Sequence, residues 1–448
     1  MTASIEVHSA LKRRVRSQRT ELPGLYGDVD FDLVPERLVL DPEARAAAVT
    51  TTSLRWDDAI DGVFDDTEAV ELMRTCTMLG DVVADAYAAL LPEYGLPRLI
   101  KMLRQACRDG VDTVEDAPPQ LGALLADMER VPEWIDMRLV SEGARQDRVF
   151  AALLAPYIVR GAFLATFMNK YAALPMALTG ALSGKRSAHR VLETATFFSS
   201  TVTPGGLDRH GPGFEAAAMV RLMHSMVRFN ALRRSAKWDV EVYGIPIPQV
   251  DQMPAGLIQI FLLAERVLAS GRQEFTPAER ARVELSRYRC FLLGLPAQLL
   301  PDTPAGIQRI MLARHATLRP GFDDATCGQL IRATMAADLR PDSSVRSRLF
   351  GIVERSWSRE YFRRNFAGGS RATARDMGVN TTRRDQLTCL ATAPFVVGRL
   401  LTVVLAGRFP LTRGLADRYV VRVLRRRLAG YGHAEFTTDH NTYAGQPR

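Results

Sequence analysis

The sequence predicts an all-α fold built as a single large helical domain. Three observations carry this. Nearly every periodic stretch repeats its apolar residues at three- and four-residue spacing, the period of a helix face. Strand signals are weak: 238–247, WDVEVYGIPI, alternates but runs into a proline-rich turn. No composition break, no repeat of about 20–50 residues and no low-complexity tract divides the chain.

The elements follow in order. Residues 1–45 read as an irregular N-terminal arm, because Pro23, Gly24, Gly27, Pro35 and Pro42 interrupt any pattern. Helices are expected near 67–92, 97–108, 118–127 and 136–171, then near 187–200 and 213–236. Others fall near 251–270, 277–294, 306–316, 326–338, 344–365, 383–406 and 415–429. Turns at Pro204-Gly205-Gly206, Gly211-Pro212-Gly213, Pro246-Ile247-Pro248 and Gly368-Gly369 separate them. The helical domain thus covers 46–430, and 431–448 is a polar C-terminal tail. One stretch, 390–407, LATAPFVVGRLLTVVLAG, approaches the length of a membrane span but is interrupted by Pro394 and Arg399. The first reading is a buried core helix; the second is an interfacial helix leaning on lipid.

Composition narrows the function classes. The 448 residues are 47% hydrophobic and 24% charged, as in a globular protein with room for a core and a cofactor. The net charge of +8 comes almost wholly from arginine, since the lysines are Lys12, Lys101, Lys170, Lys185 and Lys237 alone. These arginines are interspersed with Asp and Glu and accompany no nucleic-acid motif, so no nucleic-acid partner is expected. Cys76, Cys107, Cys290, Cys327 and Cys389 are odd in number, widely spaced and form no CxxC pair, which argues for free thiols in a reducing compartment. The basic run Lys12-Arg13-Arg14-Val15-Arg16 is followed by a polar stretch, not the apolar one of a twin-arginine signal; cytoplasmic location is expected.

The most informative segment is 213–236, GFEAAAMVRLMHSMVRFNALRRSA. His224 shares a helix face with Val220, Val227 and Ala231, and Arg221 and Arg228 lie one turn to either side. That set suits a flat, apolar, anionic cofactor: an imidazole for its metal, guanidinium groups for its carboxylates, aliphatics for its ring. A hydrogen-bonded core histidine is the plainer alternative. On 187–200, Arg190, Glu193, Thr194 and Phe197 share a face, either as a polar patch toward a pocket or as a local Arg190–Glu193 ion pair. The connection 199–212 lets these two helices pack as neighbours with a ligand between them.

These motifs in this order resemble the helical haem-b oxygenase family that includes the latex-clearing rubber oxygenases and the MpaB-type oxygenases. The resemblance rests on Arg190-x-x-x-Thr194 and on Arg221-x-x-His224-x-x-x-Arg228. It is supported by Trp238-Asp239…Gly244-Ile245-Pro246-Ile247-x-Gln249-x-Asp251 and by Val131-Pro132-x-Trp134-Ile135-Asp136. It covers about 130–270. It implies an all-α fold with a globin-like haem pocket between helices and haem b as cofactor. His224 would be the proximal iron ligand, and Arg221 and Arg228 would bind the cofactor's carboxylates. Arg190, Glu193 and Thr194 would stand on the distal, catalytic side. The reaction implied is oxidative cleavage of a C=C bond in an apolar, isoprenoid-like small molecule by O2. The chain departs from the rubber oxygenases at Glu193, where they carry lysine, and the stretch 171–182 lacks the upstream carboxylate they use as base. Rubber itself is therefore not the expected substrate. Two other readings stay open: a non-catalytic haem protein, and a metal-free helical scaffold for lipid or a partner, with peripheral membrane contact. Oligomeric state is not readable.

Overall fold

Apolar residues recurring every three or four positions do fold as helices. In the computed structural model, which describes residues 2–48, 59–60, 62–178, 184–235, 237–340 and 342–431, no strand forms among the described residues. The β contact found there is an isolated bridge between Leu38 and Leu318. Local sequence starts many helices: Asp81 accepts a hydrogen bond from the Ala84 amide, Asp136 from those of Arg138 and Leu139. Thr276 with Glu279, and Thr382 with Asp385, close reciprocal capping boxes.

The centre of the molecule is the helix Pro212–Arg234. It packs against Val82–Ala88, Leu96–Asp109, Gly184–Ser200 and Pro277–Leu292. A helix enclosed on all sides shows no single apolar stripe, and from 216 to 231 every residue is buried except Val220 and His224. Those two lie one turn apart and are partly buried.

Four expectations need correction or placement. The arm over 1–45 is not irregular throughout: Thr2–Glu21 is helical, because Leu11, Val15 and Gln18 bury one stripe against the main core. Further along, residues 36–39 stitch the arm to the body, with amides of Glu36, Arg37 and Val39 donating to Glu241, Val242 and Thr317. The stretch 136–171 is not one helix. Met137–Leu153 ends, and the chain turns by 92° into the next helical run, where Pro156 lacks the N–H that continuation needs. The stretch 238–247 folds as a short helix, Val240–Tyr243, with Trp238 Nε1 donating to the carbonyl of Gly244. The polar tail beyond Tyr431 lies outside the described residues.

The reading of 390–407 as a buried core helix is overturned. Arg383–Ala393, a widened turn at Pro394–Gly398 and Arg399–Ala406 run along the surface. Val396 and Val403 are buried; Leu387, Leu390, Phe395, Leu401 and Leu405 face outward. The segment is apolar on every side, so its sequence does not tell which side the body covers.

Candidate functional site

Gln252 sits on Gln249–Ala269, the helix that follows the Gly244–Pro248 turn. Its Oε1 lies 3.0 Å from Nδ1 of His224. Its Nε2 donates to Oε1 of Gln249 at 2.8 Å, and Gln249 Nε2 donates to the carbonyl of Gly80 at 3.1 Å. A backbone carbonyl can only accept, so the order of donors in this chain is fixed from its far end. Gln249 must offer its amide nitrogen to Gly80, Gln252 must offer its own to Gln249, and Nδ1 must therefore carry the ring proton. Nε2 keeps its lone pair and has no hydrogen-bond partner among the described residues. Burial and the nearby charge of Arg228 lower the His224 pKa to about 4, so the ring is neutral at ordinary pH. A neutral imidazole with one nitrogen held and the other free is a ligand ready for a metal.

Arg221 and Arg228 turn away from this nitrogen. Arg221 makes a bidentate pair with Asp81, Nε to Oδ2 at 2.6 Å and Nη2 to Oδ1 at 2.8 Å, and reaches Asp127 Oδ2 at 2.7 Å. Arg228 Nη1 donates to Asp85 Oδ1 at 3.1 Å and Nη2 to the carbonyl of Ile247 at 3.2 Å. Tyr26 closes the cluster, its hydroxyl donating to Asp85 Oδ2 at 2.6 Å. Burial pushes the Asp81 carboxyl up, but Arg221 outweighs it and holds it below its usual value. Burial wins at Asp85, aided by the charge of Asp81, and its pKa is raised. The expected role of the two arginines as holders of cofactor carboxylates is not what this geometry displays: both already have buried protein carboxylates. They fix the helix that carries His224.

The distal candidates divide as well. Glu193 is gripped on its own helix by Arg190, Nη1 to Oε2 at 2.9 Å, while His189 Nε2 lies 3.0 Å from Oε1 without hydrogen-bond geometry. The local ion pair is thus present. Thr194, the next residue, lines a cavity of about 340 Å³ with Ala195, Phe198 and Ser199. Apolar side chains dominate the cavity wall, among them Phe150, Ile158, Phe163, Ile258, Phe261 and Met311. Arg45, Arg289 and Arg314 bring cationic groups to it, and Asp147 and Asp251 bring carboxylates. His224 is not on this wall. It stands one helix behind, reached through Gln252, whose neighbours Asp251, Pro254 and Ala255 are wall residues. Arg190 is close enough that its charge opposes protonation of the His224 ring.

Sequence reasoning named the histidine, the threonine and both arginines as candidates. It missed Gln252, Asp81, Asp85 and the cavity cations. Gln252 is one turn beyond Gln249, so extending the Gln249-x-Asp251 motif by a residue would have reached it. Asp81 and Asp85 stand one turn apart in GDVVAD, whereas Arg221 and Arg228 stand two turns apart on the facing helix, so no shared spacing links them in the sequence. No three His, Cys, Asp or Glu side chains converge among the described residues as a bare metal ion would require. A metal that arrives with its own macrocycle needs only one such side chain.

A family model described as "ER-bound oxygenase mpaB/B'/Rubber oxygenase, catalytic domain" matches residues 148–399, more than half of the chain. A solved structure of latex clearing protein in the closed state is similar in fold. It has 17% identity and a TM-score of 0.52, covering 79% of this chain and 91% of that one. No curated protein matches the sequence.

Proposed function

The chain belongs to the mpaB and rubber oxygenase catalytic-domain family, and from that premise we propose that it is a haem-b-dependent oxygenase. Its reaction, in this reading, is cleavage of a C=C bond in an apolar, isoprenoid-like small molecule. The observation that carries the proposal is the state of His224: a neutral, largely buried ring with Nδ1–H donated to Gln252 and Nε2 without a partner among the described residues. The donor set fits an iron porphyrin, with His224 as its protein ligand. Haem, when bound, supplies the binding and activation of dioxygen.

The chain's own residues do the rest. The apolar wall around Thr194 takes up the hydrocarbon substrate and excludes water. The Thr194 hydroxyl on the cavity wall and the Arg190 guanidinium would be the hydrogen-bond donors offered to the reacting oxygen. Cleaving one double bond into two carbonyls uses both atoms of O2, so the reaction closes without an external reductant. Glu193 does not replace the lysine of rubber oxygenases as an open group, because it is buried and Arg190 already engages its Oε2. A substrate smaller than rubber follows from that difference and from the cavity.

The test is the absorption spectrum of the purified protein. The proposal expects a Soret band in the unmodified chain and its loss in His224→Ala, with the far-UV circular dichroism of the two unchanged. A colourless protein after haem reconstitution overturns the haem reading. A red His224→Ala variant overturns the ligand assignment. Oxygen uptake on adding a terpenoid then separates an oxygenase from a haem protein that only binds.

A further inference from the structure

We propose that the surface formed by Arg383–Ala406 and the start of Pro410–Tyr431 docks on an anionic lipid bilayer, lying in its interface instead of spanning it. The apolar side chains there are too many and too exposed for ordinary surface residues. Leu390 is 70% exposed, Phe395 59%, Phe409 63% and Leu411 94%, and Leu387, Leu401, Leu405 and Leu415 lie among them. The adjoining helix Val345–Asn365, whose Trp357 donates to Thr392 at 2.9 Å, also exposes Val345 and Leu349.

Charge identifies the occupant. Arg408, Arg413, Arg418, Arg422, Arg425 and Arg426 are exposed on the same stretch. Asp417 is the sole acid between 386 and 431, and it is paired with Arg148 at 2.6 Å. Long arginine stems beside an apolar face are built to place hydrocarbon in acyl chains and guanidinium groups at phosphates. A protein partner would need acids facing these arginines; a cytoplasmic leaflet presents them as a field. Arg383–Ala406 is long and apolar enough to cross a membrane. It nevertheless packs lengthwise on the body, with Val396 against Tyr157 and Ile158 and Val403 in the main core. Spanning would strip those contacts away.

The surface also has a position relative to the cavity. Val396 touches the cluster containing Ile158, and Ile158, Phe150 and Tyr361 of that cluster are cavity wall. The docking surface thus packs directly on the back of the cavity wall. The substrate class that follows is a lipid dissolved in the membrane; this second step rests on the proposed oxygenase reading, whereas the docking itself does not.

Flotation of the full chain with phosphatidylcholine vesicles, with and without phosphatidylglycerol, tests the surface. The expected result is binding that is about tenfold stronger to anionic vesicles and loses that preference at high salt. Leu401→Glu with Leu405→Glu should lower partitioning by about tenfold or more. Arg422→Gln with Arg425→Gln and Arg426→Gln should remove the anionic preference. Amide hydrogen exchange on the unmodified chain keeps the test open if a variant misfolds: vesicles should add protection within 387–415. Absence of binding to either vesicle type, equal binding by all variants, or protection elsewhere overturns the proposal. So does a lipid-free dimer that the Leu401 and Leu405 changes dissociate, since a second copy would then cover the patch. Failure here leaves the spectrum of His224→Ala untouched, and failure of that spectrum leaves flotation untouched.

Discussion

The proton on His224 is placed by a backbone carbonyl three hydrogen bonds away. Gly80 fixes Gln249, Gln249 fixes Gln252, and Gln252 fixes the tautomer that leaves Nε2 bare. Gln252 is a positioning residue, and its role is separable from packing. In the haem-free chain, ¹⁵N chemical shifts of the His224 ring should report Nδ1–H alone. Gln252→Leu should give a mixture of tautomers and a haem off-rate raised by about 10–100-fold, read by transfer to an apo-globin acceptor. Gln252→Glu keeps the acceptor and should restore both signals in part. An unchanged tautomer in Gln252→Leu would show the relay to be incidental. His224 was legible because a helix repeat needs only its own neighbours in sequence. Gln252 was not, because its contact joins two helices 28 residues apart. Arg221 and Arg228 were seen correctly as flanking cations, yet their partners Asp81 and Asp85 are 140 and 143 residues away. A cation that looks available in sequence is often already satisfied in space.

Two helices of very different length share the work of holding that ring. Val82–Ala88 has seven residues, too short to be stable alone, and it is the acid half of the cluster. Asp81 caps it and also receives Arg221; Asp85 receives Arg228 and the hydroxyl of Tyr26. Gly294, at φ +88°, lets the backbone pass against this pair, since a Cβ there would come to 2.7 Å from Asp81 Oδ2. Removing one charge leaves the other buried and uncompensated. Asp85→Asn should therefore cost about 3–5 kcal/mol in urea unfolding. Asp85→Leu with Arg228→Met should recover a substantial part of that loss, because neither charge then remains. If Asp85→Asn is as stable as the parent, the cluster does not fix the histidine helix. At this scale helix positions were largely readable from periodicity. The break at Pro156 and the coverage of 390–407 were not, because one depends on a single missing N–H and the other on which side a neighbour lies.

Across the whole molecule, fold class was the most legible property, since a helical period repeated over hundreds of residues admits few other architectures. The cavity was the least legible, because its wall draws on segments from Arg45 to Tyr431 that no local pattern links. Enclosing a neutral histidine at the centre of such a fold has a global consequence. Its folded-state pKa is about 4, against an ordinary value of 6.5. Between those values the unfolded chain takes up a proton that the folded chain refuses, so stability falls as pH drops through that window. The full shift corresponds to about 3 kcal/mol at most. Asp81 and Asp85 titrate in opposite senses, one lowered and one raised, but both are present in parent and variant and cancel in a comparison. Urea unfolding of the haem-free parent and of His224→Gln, from pH 7 to pH 4, isolates the histidine. The parent should lose more stability over that range than the variant, by up to the figure above, and the two curves should run parallel above about pH 7. Parallel curves throughout would mean that the ring already takes a proton in the folded state, and that its nitrogen is not kept free for a metal by the fold.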